Sequence, residues 1–318
     1  MAIVNSVLGP INTADMGFTL AHEHVLVSSA GVQQTFPEFI NRHGYIEKAV
    51  QDLSEAREEG LGTIVDLTTH DLGRDVRLME EVAWRSGVHI VACTGTWRDI
   101  PRIFWSADPD WIAPLYVREI EEGIEQTGIK AGIIKVANDE GGVTLEGAII
   151  LRAAARAQRA TNVPISTHTW APERIGEQQI RIFEEENVDL DRVYIGHSND
   201  TTDVDYLLGL LKKGVWVGLD RYPGGHHPGT PSWNERTVVV KHLIDAGYAG
   251  RIMLSHDWSV VLDDDKTPVS RKQRLLANPD AYLFIKRRVL PRLSEMGVSE
   301  DVIRQIMVDN PRRFFEGS

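Results

Sequence analysis

Eight short apolar runs, each followed by a longer helix-patterned segment, predict one (β/α)8 barrel, a TIM barrel, across residues 1–318. Two further observations favour this fold. Runs such as Gly62-Thr63-Ile64-Val65-Asp66-Leu67 and Arg251-Ile252-Met253-Leu254-Ser255 are almost continuously apolar before a polar end, as expected where helices cover one side of a strand and a packed interior the other. The ends of strands one, four, five, six and eight also carry residues able to bind a metal. A doubly wound open sheet is the alternative, but it has no need of such residues at those ends.

In order, strands are expected at 17–22, 63–67, 89–94, 131–136, 164–169, 192–197, 215–219 and 251–255. Helices are expected at 46–59, 75–86, 111–127, 144–161, 173–186, 203–213, 234–246 and 279–296, with a closing helix at 300–315. Gly60, Gly128, Gly214, Gly247 and Gly297 stand where a left-handed helix stop is usual. Two stretches, 222–233 and 258–278, read as long loops, which in a barrel lie on the catalytic face. No repeat, low-complexity tract or linker divides the chain, so one domain is expected.

The 318 residues suit one large barrel of about 250 residues with elaborations. With 34 Lys and Arg against 46 Asp and Glu, the formal charge of -12 argues against nucleic acid or an anionic membrane as partner. The single cysteine, Cys93, excludes an intrachain disulfide and a Cys-rich zinc site. Any metal must use histidine, carboxylate or something rarer. The amino terminus has neither a basic segment nor a long apolar run, and no stretch approaches the roughly 20 apolar residues of a membrane span. A cytoplasmic protein is expected.

The first strand ends Ala21-His22-Glu23-His24. Alternate strand residues share a face, so His22 and His24 would point the same way, close enough to grip one metal ion. Taken alone, such a pair is more often surface or hydrogen-bonded histidine; the later strand ends give it force. Strand four, Gly132-Ile133-Ile134-Lys135-Val136-Ala137, holds a lysine in an apolar run. A buried ammonium is costly, so Lys135 is either paired with a barrel carboxylate or chemically changed. CO2 adding to the neutral amine would give a carbamate, N6-carboxylysine, whose negative charge could bridge two cations. His168 ends strand five, His197 strand six, and Asp257 follows strand eight. Four imidazoles, a carbamate and a carboxylate suit two divalent ions per chain, zinc before cobalt, manganese or iron, about 3.5–4 Å apart.

These residues resemble the phosphotriesterase family of the amidohydrolase superfamily over nearly the whole chain. The resemblance includes His22-Glu23-His24, the Lys135 strand, Thr167-His168-Thr169, Ile195-Gly196-His197-Ser198, Gly218-Leu219-Asp220-Arg221, Ser255-His256-Asp257 and Asp309-Asn310-Pro311-Arg312-Arg313-Phe314. It implies that His22, His24 and Asp257 hold the more buried metal and His168 and His197 the more exposed one, with carboxylated Lys135 and a hydroxide bridging them. It implies hydrolysis in which the hydroxide attacks and Asp257 accepts its proton. It also implies a homodimer.

Proton export is expected to involve Asp200, towards Arg221. True phosphotriesterases carry histidine at that place, whereas the lactonase-like branch has arginine. Arg221 cannot shuttle protons at ordinary pH, so it orients Asp200 or Asp257, unless the pair is a purely structural salt bridge. Trp97 pulls towards the phosphotriesterases, since the lactonase-like branch has tyrosine there. Trp170 and Trp233 could be ordinary packing, whereas Trp97, Tyr222 and Trp258 are expected to line the pocket. His226 and His227 are expected not to be ligands. An aromatic, cation-poor pocket fits a small uncharged ester or lactone, so lactone hydrolysis is favoured, acyl-homoserine lactones included, with phosphotriester and aryl ester hydrolysis accompanying it. The alternative makes phosphotriester hydrolysis the main activity. A non-catalytic barrel that keeps its metals to bind a ligand or partner would need neither Asp257 nor Lys135.

Overall fold

The computed structural model describes residues 2–224, 229–260 and 268–317. The chain opens on an antiparallel hairpin, β1 (Ile3–Ser6) and β2 (Gly9–Asn12). Eight parallel strands follow: β3 (Phe18–Glu23), β4 (Leu61–Asp66), β5 (His89–Thr96), β6 (Ile133–Ala137), β7 (Ile165–His168), β8 (Val193–Ile195), β9 (Trp216–Leu219) and β10 (Ile252–Leu254). Each pairs with its neighbour in sequence, and helices lie between them. All eight expected strands are present. β10 and β3 meet at the seam through His22 N–H to Ser255 Oγ at 3.0 Å and Asp257 N–H to the His22 carbonyl at 3.1 Å. The barrel therefore closes at the expected metal ligands.

The helices follow the expected pattern, from Arg42–Glu58 to Asn310–Glu316. Gly60, Gly128, Gly214, Gly247 and Gly297 all have positive φ, as a left-handed stop requires. Three features depart from expectation. The helix expected at 111–127 ends at Glu121, and a short 3-10 turn, Ile124–Gln126, takes up the remainder. The stretch 258–278 contains a helix, Pro268–Ala277, whose apolar residues are too sparse to announce a helical period. The hairpin of β1 and β2 was also not expected, because four-residue strands are too short to show an alternating pattern.

That hairpin plugs the floor of the barrel. Val4 is buried in the interior cluster with Met16, Val91, Ile133 and Trp216, and Val7 N–H donates to the Ile90 carbonyl at 2.9 Å. Gly132 permits the approach: a Cβ there would stand 2.6 Å from the Asn5 carbonyl oxygen. The closing helix completes the floor. Asn310 Nδ2 donates to the carbonyls of Ala249 (2.7 Å) and Ile252 (2.8 Å), and Phe314 packs against Tyr194, Trp216 and Phe315. Truncation by Phe314→Ala is expected to cost about 3–5 kcal/mol, read as a lowered denaturant midpoint at fixed metal content.

Candidate metal centre

All six expected ligand residues meet at the carboxyl ends of the strands. His22 and His24 turn their Nε2 atoms to Asp257 Oδ1, at 3.4 and 3.0 Å. Lys135 Nζ lies 3.3 Å from His22 Nε2. The His197 ring stacks on His22 with centroids 4.7 Å apart, and His168 stands edge-on to His197 at 4.4 Å. Among the described residues, the donor sets able to hold an ion are His22, His24 and Asp257, and His22, His197 and Asp220.

Asp220 explains why these rings face inward. Its buried carboxylate accepts from His22 Nδ1 (2.8 Å), His197 Nδ1 (3.0 Å), the His197 backbone N–H (2.7 Å) and Tyr194 OH (2.9 Å). Burial opposes its ionisation, but the charge and hydrogen bond of His22, with Lys135, outweigh it and hold the carboxyl below its usual range. Each imidazole gives its single hydrogen to Asp220, which leaves the lone pair on Nε2. His24 Nδ1 lies 2.9 Å from Thr68 Oγ1, a hydroxyl that can accept from it or donate to it. Nε2 lone pairs and a carboxylate oxygen thus converge with few hydrogens between them. That donor set fits divalent cations, and Asp220 is the carboxylate that commonly orients metal-bound histidines.

Burial pushes the Lys135 ammonium down to about 8, and among the described residues no carboxylate forms an ion pair with it. A structural salt bridge therefore does not account for this lysine. Gly95 makes room at the neighbouring position on β5, where a Cβ would strike the Lys135 carbonyl at 2.0 Å.

Asp257 has left-handed backbone, with φ of 55°. Burial works against its charge, yet His197, His22, the His24 bond and Arg221 together hold its carboxyl well below the usual range. Arg221 Nε is 3.2 Å from Asp257 Oδ2, and its Nη1 is 2.5 Å from Asp200 Oδ2. Arg236 Nη2 meets the other Asp200 oxygen at 2.8 Å. Asp200, held by two guanidinium groups, is placed as the anchor of Arg221, which in turn steadies Asp257.

The aromatic residues divide. Trp97 reaches the site: its Nε1–H points to His168 Nδ1 at 3.3 Å, and the Arg98 guanidinium covers its outer face. Tyr222 does not line the site; it is fully buried in the core, with its hydroxyl 3.4 Å from Thr237 Oγ1. Trp258 follows Asp257, but its ring packs under Arg274 and borders a separate groove of about 340 Å³ with Lys48, Asp52 and Asn278. His226 and His227 lie outside the described residues. His168 is the least committed imidazole, with Nε2 3.5 Å from Asp139 and burial pushing the ring down to about 4. It remains neutral, and with Nδ1 accepting from Trp97 its hydrogen sits on Nε2, so binding a metal requires it to give up one of these two contacts.

With the geometry in place, the comparisons are direct. The profile of the phosphotriesterase family matches residues 2–315. An aryldialkylphosphatase of Saccharolobus solfataricus is 39% identical over 307 residues, covering 96% of each chain. An N-acetyltaurine hydrolase of Dictyostelium discoideum is 30% identical, over 84% of this chain and 72% of its own. The structure of the phosphotriesterase from Mycobacterium tuberculosis superposes with a TM-score of 0.92 at 39% identity, covering 99% of this chain and 98% of that one. The chain belongs to the phosphotriesterase family. It is a hydrolase acting on ester bonds. No helix among the described residues is long and apolar enough to cross a membrane.

Only the neutral Lys135 amine can add CO2, and its fraction falls about tenfold per pH unit below about 8. Carbamate on the metal-free protein, followed with labelled CO2 by NMR, is therefore expected to increase from about pH 6 to about 8 and then level.

Proposed function

We propose that this chain is a dinuclear metal-dependent lactonase that also hydrolyses phosphotriesters and aryl esters. The observation that carries it is the convergence of His22, His24 and Asp257 around one point, with the buried Lys135 amine 3.3 Å from His22. His22, His24 and Asp257 would hold one divalent ion, zinc for preference, and His168 and His197 the second, with the Lys135 carbamate between them. When bound, the ions would polarise the scissile carbonyl or phosphoryl and make a nucleophilic water available near neutral pH. Asp257 would be the base that takes a proton at this point, through a carboxylate oxygen. Arg221 holds Asp257 in the required orientation, and Asp200 with Arg236 holds Arg221. Trp97 forms an apolar wall beside His168.

The charges support an uncharged substrate. Arg221 is occupied by Asp200 and Asp257, and Arg98 is ion-paired with Asp139. Among the described residues, an N-acetyltaurine-like substrate with an anionic sulfonate would meet these two guanidinium groups already paired. The second reading, with phosphotriester hydrolysis as the main activity, is favoured by Trp97 and by the archaeal aryldialkylphosphatase. The proposal includes a homodimer, supported by the exposed apolar side chains of Ile103, Trp105 and Trp111 beyond β5, and a cytoplasmic location, which the one buried cysteine suits.

Metal analysis of protein grown with zinc or cobalt and bicarbonate is expected to give two ions per chain, and Lys135→Ala fewer. One ion or none in the wild type would sink the dinuclear assignment. Asp257→Asn is expected to lower kcat by about 10²–10⁴-fold. Relative kcat/KM for a lactone and a paraoxon-type ester separates the two readings: a clear excess for the phosphotriester makes that the main activity.

A further inference from the structure

Glu23, the residue between His22 and His24 at the end of β3, is fully buried and belongs to no ligand set described above. We propose that Glu23 is a positioning residue: it holds Asp257 in place and contributes a buried negative charge that tightens metal binding. This rests on reading the site as a metal centre.

The geometry is specific to the turn that carries Asp257. Glu23 Oε1 accepts from Ser255 Oγ (2.6 Å), the His256 backbone N–H (2.9 Å) and His256 Nδ1 (2.7 Å). Oε2 accepts from the Trp258 backbone N–H at 2.9 Å. The bonds fall on both sides of Asp257, whose left-handed φ of 55° is unfavourable for a residue with a Cβ. Asp257 N–H itself goes to the His22 carbonyl at 3.1 Å, and His24 N–H goes to the Trp258 carbonyl at 2.8 Å. Residues 22–24 and 255–258 therefore form one hydrogen-bonded block that carries His22, His24 and Asp257. Glu23 supplies four of the bonds that join its halves.

The charge follows from the donors. Glu23 receives four hydrogens and, among the described residues, faces no acceptor that would take one, so it is a carboxylate. His256 does not neutralise it: His256 Nε2 accepts the Ile285 backbone N–H at 3.0 Å, so the ring carries its one hydrogen on Nδ1 and is neutral. Among the described residues, no lysine or arginine pairs with Glu23. An uncompensated anion thus lies directly behind three expected ligands, where a cation in front of them would balance it.

The test is Glu23→Gln, which keeps the shape, removes the charge and turns an N–H donor towards an N–H donor on one side. Zinc or cobalt affinity is measured by chelator competition beside the wild type, with the Tm of the metal-free proteins. Affinity for the first ion is expected to fall about 10- to 100-fold, with a smaller change in metal-free Tm than in the metal-loaded form. The visible bands of the cobalt protein are expected to shift as Asp257 moves, and at saturating metal kcat falls while KM holds. Glu23→Asp, which keeps the charge but cannot span all four donors, is expected to recover part of the affinity; it also serves if Glu23→Gln does not fold. Unchanged affinity and unchanged cobalt bands in either folded variant would overturn the proposal, as would a loss wholly matched by lower metal-free stability. Wild-type protein that binds no metal would instead overturn the metal-centre reading on which this one rests.

Discussion

A neutral imidazole has one hydrogen and one lone pair, and the site depends on where the hydrogen goes. Asp220 takes it from both His22 and His197, residues assigned to different metal ions, and so couples the two halves of the proposed centre through one carboxylate. Tyr194 and the His197 backbone N–H complete its hydrogen bonds, so Asp220 has no reason to rotate. Replace this buried acceptor with an apolar group and both rings lose their fixed tautomer together.

Charge is the second constraint. Asp257 carries the carboxylate facing the convergent Nε2 atoms of His22 and His24, and a chain of ion pairs stands behind it: Arg221, Asp200, then Arg236. Arg221, Asp200 and Arg236 are buried, Asp257 is partly so, and each is answered by its neighbour, as the low local dielectric demands. Lys135 breaks this pattern. Its amine is buried with no carboxylate partner among the described residues, which makes it the odd group in an otherwise compensated network and the place where added negative charge would be best tolerated.

The barrel separates these demands from those of stability. Its floor is apolar and closed by the hairpin of β1 and β2 and by Phe314 and Phe315. Its other end carries the polar residues, brought together because eight parallel strands all finish on one side. The seam between β10 and β3 falls at the same end, so the hydrogen bonds that close the barrel also set the distance from His22 to Asp257.

The sequence by itself determined the eight strands, most of the helices and the six candidate ligands, because apolar periodicity and polar strand ends are local signals that survive without coordinates. The helix at Pro268–Ala277 and the opening hairpin were not legible, being too sparse in apolar residues or too short to show a period. Glu23 was visible only as a letter between two ligands and Asp220 as one beside Arg221; neither position says which ring or backbone group, on which other strand, it will meet. The same limit hid that Tyr222 is sealed in the core and that Trp258 borders a groove beside Asn278, since the direction of a side chain beyond a strand end is set by what the neighbouring loops pack against it. Tertiary structure alone decided which hydrogens the imidazoles surrender and which charges are answered, because those choices depend on contacts between residues up to 235 positions apart.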